Sequence, residues 1–147
     1  MTFIKTITMR LLINGEKLIK DLRKEFSLVY PFLQLEFFNN DGARKSRYSA
    51  FKKIDHDKTL QEAGIQKNHK GYIDIKDATT VLELENALMD EFGLSAQVFR
   101  KSGNIWLETT ITDDWTLKQQ NDHGREITLS YEDENNNVND FDLNRDI

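Results

Sequence analysis

One spaced apolar pattern occurs twice in this chain. Leu18-x3-Leu22-x2-Glu25-Phe26-x-Leu28 returns further along as Leu84-x3-Leu88-x2-Glu91-Phe92-x-Leu94, and Ile54-x2-Asp57-x-Thr59-Leu60 returns as Ile111-x2-Asp114-x-Thr116-Leu117. A pattern kept in order at two places is the mark of a repeated supersecondary unit. Each copy opens on a helix. Leu18, Ile19, Leu22 and Phe26 lie on one face at i, i+3, i+4 spacing, with Asn14 as a candidate cap and Pro31 beyond the end. In the second copy Thr79 or Thr80 caps, Glu83 places a carboxylate in the first turn, Val81, Leu84, Leu88 and Phe92 line the face, and Gly93 stops the helix.

The segments after each helix alternate with period two, as strands with one face on a core do. Leu33, Leu35 and Phe37 point one way, with Tyr48, Ala50 and Ile54. The second copy repeats this with Leu94, Ala96, Val98, then Ile105, Leu107 and Ile111, all expected to face the helices. Asn39-Asn40-Asp41-Gly42 and Ser102-Gly103-Asn104 carry turn chemistry and predict hairpins. A strand near Phe3 to Met9 is expected before the first helix and Tyr72 to Lys76 before the second, with Ile127-Thr128-Leu129 as a closing strand. The expected fold is α+β: two pseudo-symmetric helix-plus-β-hairpin repeats with antiparallel-rich sheets. Residues 1–76 form a basic first repeat, 77–131 an acidic second repeat, and 132–147 an acidic tail.

Ile54-Asp55-x-Asp57-x-Thr59-Leu60-x3-Gly64-Ile65-Gln66-Lys67, followed by Ile73-x-Ile75, resembles the last third of ubiquitin-like (β-grasp) domains, where a Thr-Leu turn leads into the final strand. That resemblance runs from Ile54 to Ile75 and implies a binding module. It does not imply conjugation, since the chain ends Asn144-Arg145-Asp146-Ile147 rather than in a Gly-Gly tail. Val98-Phe99-Arg100-Lys101-Ser102-Gly103-Asn104-Ile105-Trp106-Leu107-Glu108 with Asp113-Asp114-Trp115-Thr116-Leu117 is similar to an uncharacterised family of small bacterial proteins, which implies no activity.

Charge is distributed unevenly. Residues 1–75 carry 14 Lys/Arg against 9 Asp/Glu, residues 76–130 carry 5 against 10, and residues 131–147 carry 1 against 6. Such polarity bears on partners rather than on fold. With no cysteine among 147 residues, disulfides, thiolate nucleophiles and sulfur-ligated zinc are excluded. No apolar run approaches the roughly 18 residues of a membrane span, and the N-terminus lacks signal-peptide order, so a cytoplasmic protein is expected.

If Ile105 and Leu107 face the helices, then Trp106, Phe38, Arg47, Phe51, Lys53 and Phe99 point to the other side of the sheet. Either the repeats or the tail cover that face, or it meets a partner or a second copy. On the second reading, Phe38, Phe51, Phe99 and Trp106 are apolar anchors of a protein interface and Arg47 and Lys53 its charged rim. The cluster Arg44-Lys45-x-Arg47-Tyr48-x2-Phe51-Lys52-Lys53 interleaves cations with rings, the chemistry of single-stranded nucleic-acid platforms, and equally that of a solvated hairpin. Asp55-His56-Asp57 offers a metal divergent ligands and Asp113-Asp114 is better explained as a turn, so no metal, cofactor or catalytic residue is expected. Phe141 and Leu143 in the tail alternate like a strand or docking peptide that lies on the basic repeat or adds to a partner's sheet.

Overall fold

The computed structural model describes residues 7–39, 52–66 and 68–145. Element order is β1 (Met9–Asn14), α1 (Ile19–Val29), β2 (Leu33–Phe38), β3 (Lys70–Ile75), α2 (Val81–Phe92), β4 (Ser95–Ser102), β5 (Ile105–Glu108) and α3 (Leu117–Arg145). The architecture is α+β with antiparallel sheets: β1 pairs with β3, and β2, β4 and β5 form a second sheet in the order β2-β4-β5. Lys53 bridges Phe38 at the outer edge of β2, and Ile54 N–H donates to Phe37 O, so residues 52–54 continue that sheet. No described helix is long and apolar enough to cross a membrane.

Helix α2 forms for reasons visible in its own residues. Thr80 accepts from Glu83 N–H and Glu83 returns a bond to Thr80 N–H, a reciprocal capping box, while Gly93 closes the helix at a φ of 69°, which favours glycine. Helix α1 has no side-chain cap at Leu18; Asn14, the expected cap, is instead the last residue of β1. Its first amides are satisfied by the segment that follows residues 52–54: Ile19 N–H donates to Lys58 O and Lys20 N–H to His56 O.

The same arrangement recurs in the second half. Val81 N–H donates to Trp115 O and Leu82 N–H to Asp113 O; Leu60 N–H donates to Lys17 O and Leu117 N–H to Thr79 O. Thr59 with Glu62 and Thr116 with Gln119 form matching side-chain boxes. These bonds equate Lys17 with Thr79 and Ile19 with Val81, which makes Leu84 the counterpart of Leu22, where the sequence echo pairs Leu22 with Leu88. The two registers differ by about one helical turn, a slide that preserves the apolar face and makes them look alike in sequence.

One core serves both halves. Leu11, Ile13, Ile73 and Ile75 from the β1–β3 ribbon, Leu22 and Phe26 from α1, Leu84 and Leu88 from α2, Leu35, Phe37 and Val98 from the larger sheet, and the paired Leu60 and Leu117 make a single buried cluster. Helix α1 packs on β1 and β2, and α2 on β3 and β4. The strand expected near Phe3 to Met9 is largely outside the described residues, and the observed β1 runs on from Met9 through Leu11 and Ile13. The closing strand expected at Ile127-Thr128-Leu129 and the extended tail expected around Phe141 and Leu143 are instead parts of α3.

Candidate functional site

The hairpin of β4 and β5 turns on Gly103 and Asn104, with Ser102 opposite Ile105. Gly103 has a φ of 71°, and an added Cβ would sit 3.0 Å from the Tyr131 ring of α3, so the turn requires glycine for conformation and for space. Lys101 N–H donates to Phe32 O, towards β2. Antiparallel alternation then directs the backbone groups of Arg100 and Ser102 at Leu107 and Ile105, and leaves the N–H and C=O of Trp106 and Glu108 pointing away from the sheet. Beyond Glu108 the ladder is closed by side chains: Val98 N–H donates to Glu85 Oε2 at 2.9 Å, and Thr109 Oγ1 donates to Val98 O at 2.8 Å. Strand β5 is thus an edge, with no strand on its outer side among the described residues.

Its side chains are uncovered as well. Ile105 and Leu107 share the sheet face of Leu33, Leu35 and Val98, as parity required, yet they are 52% and 40% exposed, and Ile111 is 96% exposed. The expectation that these three pack against helices is therefore corrected. Helices α1 and α2 cover β2 and β4, and α3 crosses over Arg100 and Ser102, one strand short of β5. That crossing is tight: a Cβ on Gly124 would meet Arg100 Cγ at 2.9 Å and Phe32 Cβ at 3.1 Å, while Gln120 accepts from Arg100 Nη1 and Asn121 accepts from Phe32 N–H. A groove remains between hairpin and helix, bounded by Ser102 and Gly103 and by Glu126, Ile127, Ser130, Tyr131 and Glu134.

The opposite sheet face differs from the open aromatic surface expected of it. Phe38 and Phe99 are each only 7% exposed, and the Lys53 ammonium lies 4.8 Å over the Phe99 ring. Two expected anchors are closed off and the expected rim cation covers one of them. Trp106 is half-buried on this face, beside Lys101. Arg47 and Phe51 lie outside the described residues, as does most of the basic segment 44–53. The tail residues Phe141 and Leu143 have helical backbone.

Glu36, on the same face, is held by charge. Arg23 donates to Glu36 Oε1, to Leu35 O and to His56 Nδ1, and His56 Nε2–H donates to Glu36 Oε2, all between 2.8 and 3.0 Å. Both imidazole nitrogens are engaged, which leaves His56 no lone pair for a metal or a substrate proton in this arrangement. In the second half the residue equivalent to Arg23 is Glu85. Burial, with the nearby carboxylates of Asp113 and Glu108, pushes its carboxyl up to about 7 against the opposing Val98 N–H bond.

Pattern alone assigns Ile127 of the groove wall to a strand and Glu134 to a tail. The cue that places them on a helix is Thr116-Leu-Lys-Gln119, a capping-box spacing like that of Thr80 and Glu83. Compared with family models, with curated proteins and with solved structures, the chain matches none.

Proposed function

We propose that this chain is a non-enzymatic protein-binding module that takes its partner at the outer edge of β5. The observation that carries this reading is the coincidence, on one short strand, of an edge left unpaired by the described strands with uncovered Ile105 and Leu107 and a half-buried Trp106. A strand of this kind is a template for another chain, and soluble domains normally blunt it. The contact thereby moves from Phe38 and Phe99, the anchors that the sequence suggests, to the edge beside Trp106. The twice-used hydrogen-bond pattern supports a duplicated unit, residues 1–76 and 77–131, whose second copy has α3 after its Thr-Leu turn where the first has β3. The ubiquitin-like resemblance supports a binding role and nothing more specific. The reading places the protein in the cytoplasm.

Capture from the source cell tests it, with wild-type, Trp106→Asp and Leu107→Asp proteins whose circular dichroism is first shown to be alike. A protein retained by the wild type and lost with both variants is expected. Retention of the same proteins by all three would overturn the reading.

A further inference from the structure

We propose that the segment taken at the β5 edge is an extended peptide with cationic, apolar and cationic side chains at alternate positions. This rests on the reading of that edge as the contact surface and adds the chemistry of its occupant. Strand addition supplies the backbone part: the outward N–H and C=O groups of Trp106 and Glu108 pair with an added strand. Ile105 and Leu107, uncovered on the face that carries α3, receive an apolar side chain of that strand.

Charge selects the neighbours of that side chain. Glu126 and Glu134 stand exposed on the groove wall, eight residues apart on one helix, which is about 12 Å at the rise of an α-helix. An extended strand covers that distance in about four residues, so cations at i and i+4 with an apolar residue at i+2 match the spacing of the two carboxylates. On the edge itself stands Glu108, and it and Asp113 both lie near enough to Glu85 of α2 to act on its charge. The chain from residue 102 onward is short of cations, although Arg100 and Lys101 stand opposite Leu107 and Trp106 on β4. Residues 102–147 hold eleven acidic and three basic side chains, and two of those three, Lys118 and Arg125, are both paired with Asp122. An acidic peptide or a nucleic acid would meet this row with like charge, and a second copy would bring an identical acidic edge against it.

The probe is a fluorescein-labelled, end-blocked peptide, Lys-Thr-Val-Thr-Lys-Thr-Val, with a control in which both lysines are glutamate. Fluorescence anisotropy against the full chain should show saturable binding that weakens as salt rises. Reversal of both wall charges, Glu126→Lys with Glu134→Lys, should weaken it by about tenfold, these being exposed positions that leave the fold intact. Glu108→Gln should retain most of the binding, whereas Glu108→Pro, which removes one outward N–H at an edge position that tolerates proline, should abolish it.

Equal or tighter binding of the glutamate peptide would overturn the proposal, as would a sedimenting dimer that Glu108→Pro dissolves, since the occupant would then be a second copy. Failure of the lysine peptide alongside partner capture that still depends on Leu107 would overturn the basic chemistry and leave the edge reading standing. Failure of both would overturn both.

Discussion

Glu85 gives the account a thermodynamic handle. Its carboxylate accepts from Val98 N–H at 2.9 Å where β5 leaves β4, so it finishes the ladder that the edge strand does not. The cost is ionisation in a half-buried place beside Asp113 and Glu108, which lifts its pKa from 4.5 to about 7. Within that window the folded protein holds a proton at Glu85 that the unfolded chain has released, so stability is greater near the lower limit and falls as pH rises. At about 1.4 kcal/mol per unit the full shift is worth about 3 kcal/mol, and screening at a site still touched by solvent reduces this to about 2 kcal/mol. Glu85→Gln keeps an oxygen for the Val98 N–H and removes the titration. Urea unfolding at about pH 5 and about pH 8 should give two proteins of similar stability in acid, with the variant more stable by about 2 kcal/mol in base. The difference between the two proteins isolates Glu85 from other titrating groups. Parallel pH profiles for wild type and variant would show that Glu85 does not hold the proton.

Three further outcomes rest on other parts of the structure. Thr80→Ala removes the side-chain acceptor of the α2 capping box and should cost about 1 kcal/mol in a denaturant titration; Thr116→Ala should cost a similar amount at the start of α3. Arg23→Ala leaves the Glu36 carboxylate, only 5% exposed, with His56 as its remaining hydrogen-bond partner, and should cost about 3 kcal/mol, while adding Glu36→Leu should restore part of that loss. Gly124→Val drives a side chain into Arg100 and Phe32 and should lift α3 off the sheet, seen as faster proteolytic cleavage within α3 and about 1 to 3 kcal/mol lower stability.

Local chemistry that repeats over several residues was legible in the sequence. The faces of α1 and α2, the Thr80 cap, the Gly93 stop and the inward sets Leu33, Leu35, Phe37 and Ala96, Val98 all follow from periodicity and capping. Helix α3 was not, because Ile127-Thr128-Leu129 is short, β-prone and flanked by polar residues, and its low amphipathicity hides the helical period. Its docking relies on small and polar residues, Gly124, Asn121, Gln120 and Thr128, which carry no apolar signal. The edge site depends on the position of that helix. Whether Ile105 and Leu107 are covered is decided by where α3 crosses, and so short an alternation specifies only the side of the sheet. The closure of Phe38 and Phe99 likewise depends on Lys53 arriving from a distant part of the chain. The acidic character of the groove wall, by contrast, was visible as charge segregation before any helix was placed there.

Amide hydrogen exchange at β5, residue by residue, with and without saturating lysine peptide, tests the edge claim most directly. In the free protein the Ile105 and Leu107 amides, turned towards β4, should be protected and those of Trp106 and Glu108 should exchange fast. With peptide bound, the Trp106 and Glu108 amides should slow by about tenfold or more while the rest of the sheet is unchanged. Fast exchange at both amides in the bound state, with protection appearing on another surface, would contradict the account.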